Sequence, residues 1–172
     1  MENHIIRKAN STDVKDILRL LIELAVYEKD PDAVKITEKD LLEDGFRDNP
    51  RYECFIAETN SKIVGLAFYT PRYSTWDGKT LHLEDLVVTE KMRGKGIGLS
   101  LYKSFLKEAK KQGVNRVEWS VLDWNKPAIN FYLKSGALID DYSKWKIVRM
   151  NKSLIEKFLS SSNFSFIFIL CI

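Results

Sequence analysis

An apolar run, LHLEDLVV at residues 81–88, is soon followed by Gly94, Gly96 and Gly98, and then by apolar residues at helical spacing. This order of strand, glycine loop and helix constrains the chain more than any other feature. A helix starting there turns unpaired N–H groups and the positive end of its dipole towards the loop. Glycines bring no Cβ and permit positive φ, and Arg93 and Lys95 add positive charge. An anion such as a pyrophosphate suits that arrangement. The plainer reading, a flexible turn with solvated cations, stays open on spacing alone. No Gly-Lys-Ser/Thr follows, and the glycines alternate as G-x-G-x-G, so the Walker and dinucleotide patterns both fail.

The rest of the chain frames that loop. Residues 4–9 read as a strand. Ser11 or Thr12 can then cap a helix whose Val14, Ile17, Leu18, Leu21, Leu24 and Ala25 keep helical spacing. TEKD, residues 37–40, resembles a capping box with Asp in place of Glu, opening a short helix that Gly45 stops. YECFIAE and KIVGLAFY read as strands joined by a TNS turn, and TLHLEDLVV as a third. After the loop, Leu99, Leu101, Tyr102, Phe105, Leu106 and Ala109 mark a helix that Gly113 ends. VNRVEWSVL reads as a strand, Asn125 as the cap of KPAINFYLKS, KWKIVRM as the closing strand and KSLIEKFL as a last short helix. The expected class is α+β (mixed α/β), with helices on a largely antiparallel sheet. Residues 1–160 are expected to form one domain, and 161–172 a separate apolar tail.

Composition excludes several classes. A chain of 172 residues with net charge +3 has no extended basic footprint, so nucleic acid is not an expected partner. Two cysteines, Cys54 and Cys171, make neither a disulfide framework nor a metal spacing, and Cys54 in ECFIAE reads as a buried structural thiol. His4 and His82 are too sparse for a metal site. The N-terminus shows no apolar leader, which leads to an expectation of a cytoplasmic protein without a membrane partner. FSFIFILCI, residues 164–172, is shorter than the ~20 apolar residues a membrane helix needs. A packed strand, a contact with a partner subunit and foreign sequence all remain open for it.

Arg93-x-x-Gly96-x-Gly98, directly after an apolar strand and before a long helix, resembles the acyl-CoA loop of the GNAT N-acetyltransferases. The resemblance extends through ILRLLIELAVYEKD, DLLEDGF, NPRYECFIAE, YSTWDGKTLHLEDLVV, VLDWNKPAINFY and GA, from about residue 6 to 145. Those landmarks are similar to the diamine (spermidine/spermine) acetyltransferases, especially their thialysine-acetylating members. Such a resemblance implies a splayed sheet with acetyl-CoA as co-substrate between two strands, no metal, and a homodimer. The pantetheine arm is then expected along Leu86, Val87 and Val88. The pyrophosphate is expected on Arg93, Gly94, Lys95, Gly96, Ile97, Gly98 and Leu99, with Asn125, Lys126, Pro127 and Ala128 as further contacts.

The same resemblance implies direct attack of an amine on the thioester. An alkylammonium has an ordinary pKa of ~10.4, so the free amine is on the order of 0.1% at neutral pH, and a carboxylate must take its proton. Glu84 is the candidate base, directly or through water, and Tyr132 in NFY the candidate acid that protonates the departing sulfur. Tyr27, Glu28, Trp76, Glu84, Asp85 and Trp145 stand where the family contacts its amine. Strict alternation would put Glu84 and Asp85 on opposite faces, so a shared site requires a β-bulge. Ser74, and VLDWN, match the thialysine-type members, which favours a small diamine or lysine-like amine; Lys126 or Lys144 would then meet a substrate carboxylate. A polyamine acetyltransferase proper and a non-catalytic acyl-CoA-binding module are the alternatives.

Overall fold

The computed structural model describes residues 4–140 and 148–160, which fall into two compact units divided after Leu122. In the first unit five strands stand side by side in chain order: β1 (Ile5–Lys8), β2 (Glu53–Thr59), β3 (Lys62–Ser74), β4 (Gly78–Val88) and β5 (Arg116–Glu118). The first four are antiparallel to their neighbours and β5 runs parallel to β4, which gives the α+β class expected. Asn60 and Ser61 both take positive φ, the requirement of the tight two-residue hairpin that joins β2 to β3.

Helix α1 (Val14–Tyr27) buries Val14, Ile17, Leu20, Leu21 and Ala25, one stripe of a helix. Its start is capped earlier than Ser11 or Thr12. Asn10 accepts from the Thr12 N–H at 2.9 Å and forms a capping box with Asp13, so residues 11–13 become a 3₁₀ turn. Arg7 donates to both Asp13 oxygens at 2.7 and 2.9 Å and holds that carboxyl below its ordinary range, fastening α1 to β1. Thr37 caps α2 (Glu38–Gly45) as expected. The ring of Tyr52 lies against Gly45, where an added Cβ would come within 2.2 Å of it, so the glycine is required by close approach. Alternation along β3 turns Leu66 and Phe68 into the core of α1 and α2. It turns Gly65 and Tyr69 towards α3 (Ile97–Gln112), whose Leu101 and Phe105 meet them.

Two strand expectations change. β5 covers only Arg116–Glu118 of the run VNRVEWSVL, pairing with Thr80, Leu81 and His82 and then leaving β4. Trp119 packs edge-on against Tyr102 instead of continuing the ladder. Of KWKIVRM, Val148, Arg149 and Met150 carry no regular structure, and residues 144–147 lie outside the described residues. Within α3, Leu99 is 44% exposed and Ile97 takes the inward place expected of it. The second unit contributes α4 (Lys126–Lys134) and α5 (Lys152–Ser160), the latter matching KSLIEKFL. The tail at residues 164–172 and Cys171 lie outside the described residues.

Candidate active site

Opposite β3, the β4 ladder pairs Asp85 with Phe68 and Leu83 with Tyr69, which leaves Glu84 as an extra residue. This bulge resets the alternation. Glu84 at the bulge and Asp85 after it consequently line one cavity of about 320 Å³, with Phe68, Tyr52 and Leu41 as its apolar wall. Thr70 donates its hydroxyl to Glu84 Oε1 at 3.0 Å, fixing that carboxylate. Burial, then the charges of Glu28 and Glu84, push Asp85 from an ordinary 3.8 up to about 6. Partial desolvation at the end of α1 also raises Glu28. Three carboxylates so gathered hold negative charge that a cation would relieve.

Beyond the bulge β4 continues to Val88, whereas its pairing with β5 ends at His82. Among the described residues, the Leu86, Val87 and Val88 edge therefore has no strand partner on that side. It leads directly into the glycine loop. Gly94 and Gly96 have φ of 76° and 82°, and nothing lies within 4 Å of where a Cβ would stand at either. The first bond of α3 runs from Ser100 N–H to Gly96 O at 3.0 Å, so the earlier amides of the turn face outward. Outward amides with open space beside Gly94 and Gly96, next to Arg93 and Lys95, suit an anionic group such as a phosphate.

Arg93 donates Nε–H to Val88 O at 2.9 Å, and its guanidinium lies 4.6 Å from the centre of the Tyr27 ring. One turn back on α1, Glu23 accepts from Thr89 Oγ1 at 2.9 Å and from the Glu90 N–H at 3.2 Å. Sequence reasoning missed Glu23. The signal available was its spacing of four from Tyr27, which places both on one helical face.

In the second unit, Asn125 Oδ1 accepts from the Ala128 N–H at 3.3 Å, with Pro127 in the first turn after Lys126, so the expected cap is present. Tyr132 is the buried residue of α4, touching Phe131 edge-on. Trp76 is not brought to the carboxylates. It stands 81% exposed at the β3–β4 turn, and lines a separate hollow with Arg72 and Arg116. Trp145 and Lys144 lie outside the described residues. Cys54 is buried and its thiol is pushed far up by desolvation, which makes it structural. Among the described residues no group of three His, Cys, Asp or Glu side chains is placed to hold a metal ion, and no helix is long and apolar enough to cross a membrane.

The sequence pattern of the Acetyltransferase (GNAT) family matches residues 15–137. The thialysine N-epsilon-acetyltransferase of Bos taurus is 42% identical over 141 residues, covering 77% of this chain and 83% of that protein. The spermidine/spermine N(1)-acetyltransferase-like protein 1 of Homo sapiens is 39% identical over 160 residues, covering 88% of this chain, which spans 23% of that protein's length. Among solved structures, an integron cassette protein from the mobile metagenome of V. cholerae superposes with a TM-score of 0.74 at 25% identity, covering 94% of this chain and 99% of that one.

Proposed function

The chain belongs to the acetyltransferase (GNAT) family, and from that premise we propose that it transfers the acetyl group of acetyl-CoA to a primary amine of a small diamine or lysine-like acceptor. The observation that carries the reading is the Glu84 bulge. It delivers two carboxylates to one cavity, on the strand whose outer edge, without a strand partner beyond His82 among the described residues, runs into the glycine loop. An ammonium is drawn there by charge, and a carboxylate there can accept its proton.

In this reading acetyl-CoA supplies an activated acyl group as its thioester. Leu86, Val87 and Val88 pair with its pantetheine arm. Arg93, Lys95 and the amides of Gly94, Gly96, Ile97, Gly98 and Leu99 hold its pyrophosphate, and residues 125–128 add contacts. Glu84, held by Thr70, takes the proton of the acceptor ammonium. The freed nitrogen forms the new C–N bond as the C–S bond breaks. Tyr132 gives its phenolic proton to the leaving sulfur, and the second proton that the acylated nitrogen sheds restores the phenol, so CoA leaves as the neutral thiol and Glu84 alone carries the extra proton to solvent. Asp85 and Glu28 hold the acceptor's positive charge, joined by Tyr27, Trp76 and Trp145. The 81% exposure of Trp76 fits a residue that works at the interface of a homodimer.

Glu84→Gln tests the reading. It should lower turnover by ~100-fold or more, the usual weight of a positioned base, and leave CoA affinity within about twofold. Turnover equal to wild type would remove Glu84 from the chemistry. Retained CoA binding with no transfer by the wild-type protein would instead favour a non-catalytic acyl-CoA-binding module.

A further inference from the structure

His82 stands on β4 opposite Thr70 of β3 on one side and Glu118 of β5 on the other. Residues paired in this way share a face, so the three side chains form one row across the sheet. Glu84, two residues further along β4, lies beside that row on the same face. Arg72, two residues beyond Thr70 on the antiparallel β3, lies on the row's other side. His82 is thus set between an arginine and the carboxylate of the bulge.

The contacts decide where the imidazole carries its proton. Arg72 Nη1 lies 3.1 Å from His82 Nδ1 and donates to Glu118 Oε1 at 2.8 Å. A guanidinium has no acceptor, so His82 Nδ1 must accept, and the ring N–H is then at Nε2. Glu118 does not reverse that order. Its Oε1 is 4.0 Å from Nδ1 and already engaged by Arg72, and its Oε2 is 3.0 Å from Arg116 Nη2. Nε2 is the nitrogen nearer Glu84, 3.8 Å from Oε2, while Thr70 donates to Oε1 at 3.0 Å. Each oxygen of Glu84 therefore has its own donor behind it. The His82 side chain is 18% exposed and that of Glu84 45%, so the more enclosed group can steady the freer one. A separation of 3.8 Å is longer than a hydrogen bond, and contacts of this kind tighten when the acceptor is bound.

We propose that His82 is a positioning residue for the proton-accepting carboxylate. Arg72 fixes its imidazole as the Nε2–H tautomer, and that N–H holds Glu84 Oε2 while Thr70 holds Oε1. The remaining lone pairs of Glu84 are thereby aimed at the acceptor ammonium. The inference rests on the acetyl-transfer reading given above and adds to it the residue that directs its base.

Two measurements test it, one of them independent of turnover. The chain has two histidines, His4 and His82, so nitrogen-15 NMR of the imidazoles, assigned with His82→Gln, reads the tautomer directly. Wild-type His82 should carry its proton on Nε2, and Arg72→Leu should lose that preference. In kinetics, His82→Ala should lower kcat about 10-fold, the weight of a hydrogen bond to a charged group, and leave KM for acetyl-CoA within about twofold. His82→Gln, whose amide also donates, should recover part of the loss. In a Glu84→Gln background the same His82→Ala change should cost less than about twofold, since the group it directs is gone. An Nδ1–H tautomer or an imidazolium in the wild type at pH 8 would overturn the proposal while acetyl transfer stood. So would a wild-type kcat in His82→Ala, or an equal loss in both backgrounds, which a merely structural role would give. If His82→Ala fails to fold, the wild-type tautomer and His82→Gln still decide. No transfer by wild-type protein to lysine, putrescine or spermidine would overturn both the role of His82 and the reading beneath it.

Discussion

The guanidinium of Arg93 lies over the ring of Tyr27, 4.6 Å from its centre, and so joins the glycine loop to the end of α1. The next residue is Glu28, whose charge acts on Asp85. The glycine loop and the carboxylates at the end of α1 and on β4 are thus joined through adjacent side chains. Replacing Tyr27 with Leu removes a cation–π contact of ~0.5–1 kcal/mol. CoA should bind about 2–5-fold more weakly, as read by calorimetry, and acceptor KM should rise with it. Arg93→Ala also removes the proposed pyrophosphate contact, and should cost ~10-fold or more in CoA affinity. A Tyr27→Leu protein with unchanged CoA affinity would show that the stack does not support the loop.

Asp85 links stability to function through its raised pKa. With a folded value of about 6 above an ordinary 3.8, the folded protein binds the proton more tightly than the unfolded chain does. Asp85 therefore favours folding below about pH 4 and loses that contribution as pH rises through 6. At pH 8 its ionised form costs on the order of 2–3 kcal/mol at 1.36 kcal/mol per pKa unit. Asp85→Asn should raise Tm at pH 8, leave it nearly unchanged near pH 4, and weaken acceptor binding at neutral pH. Equal Tm values for the two proteins at pH 8 would contradict the burial and charge crowding described.

Two neighbouring glycines should respond oppositely to the same substitution. Gly96 has φ of 82°, where alanine is strained by ~1–2 kcal/mol. Gly96→Ala should accordingly lower Tm by about 2–8 °C for a protein of this size. Gly98 lies inside α3, and a Cβ there would stand an ordinary 3.7 Å from Val88 Cγ2. Gly98→Ala should keep or raise Tm, since alanine favours a helix by up to ~1 kcal/mol, and yet weaken CoA if the pyrophosphate lies against that turn. Unaltered CoA affinity in Gly98→Ala would move the anion elsewhere.

Tyr132→Phe should lower turnover by ~100-fold or more, the range for a positioned general acid. CoA affinity and circular dichroism should stay near wild type. A fold defect together with loss of CoA binding would assign the buried phenol to packing instead. Acyl donors that release a more acidic thiol should be less affected than acetyl-CoA.

Much of this was legible because it depends on local rules. The Thr37 and Asn125 caps, the Gly113 end of α3 and the strand–loop–helix order follow from short-range backbone chemistry. The bulge at Glu84 was required for two adjacent acids to share a face, and the ladder contains it. Features set by tertiary contact were less accessible. β5 ends at Glu118 although the run VNRVEWSVL stays apolar, because pairing with β4 stops there and Trp119 turns to Tyr102. Leu99 does not belong with the inward residues of α3, since it stands ~200° from Leu101 on the helix; the four-residue series Ile97, Leu101, Phe105 and Ala109 is the buried one. Glu23 looks like a solvated charge in sequence. Its partner, Thr89, comes from another part of the chain. Trp76 is a clear landmark in sequence and an exposed hairpin residue in the structure, away from the carboxylates.

Transfer of an acetyl group from acetyl-CoA to a small amine can be followed at both products. The most direct measurement is steady-state thiol release from acetyl-CoA in the presence of lysine, thialysine, putrescine or spermidine, with mass spectrometry of the amine. One acetyl group should be gained by the amine for each CoA released, with the lysine-type acceptors preferred. Absence of both CoA binding and transfer across all four amines would contradict acetyl transfer by this protein.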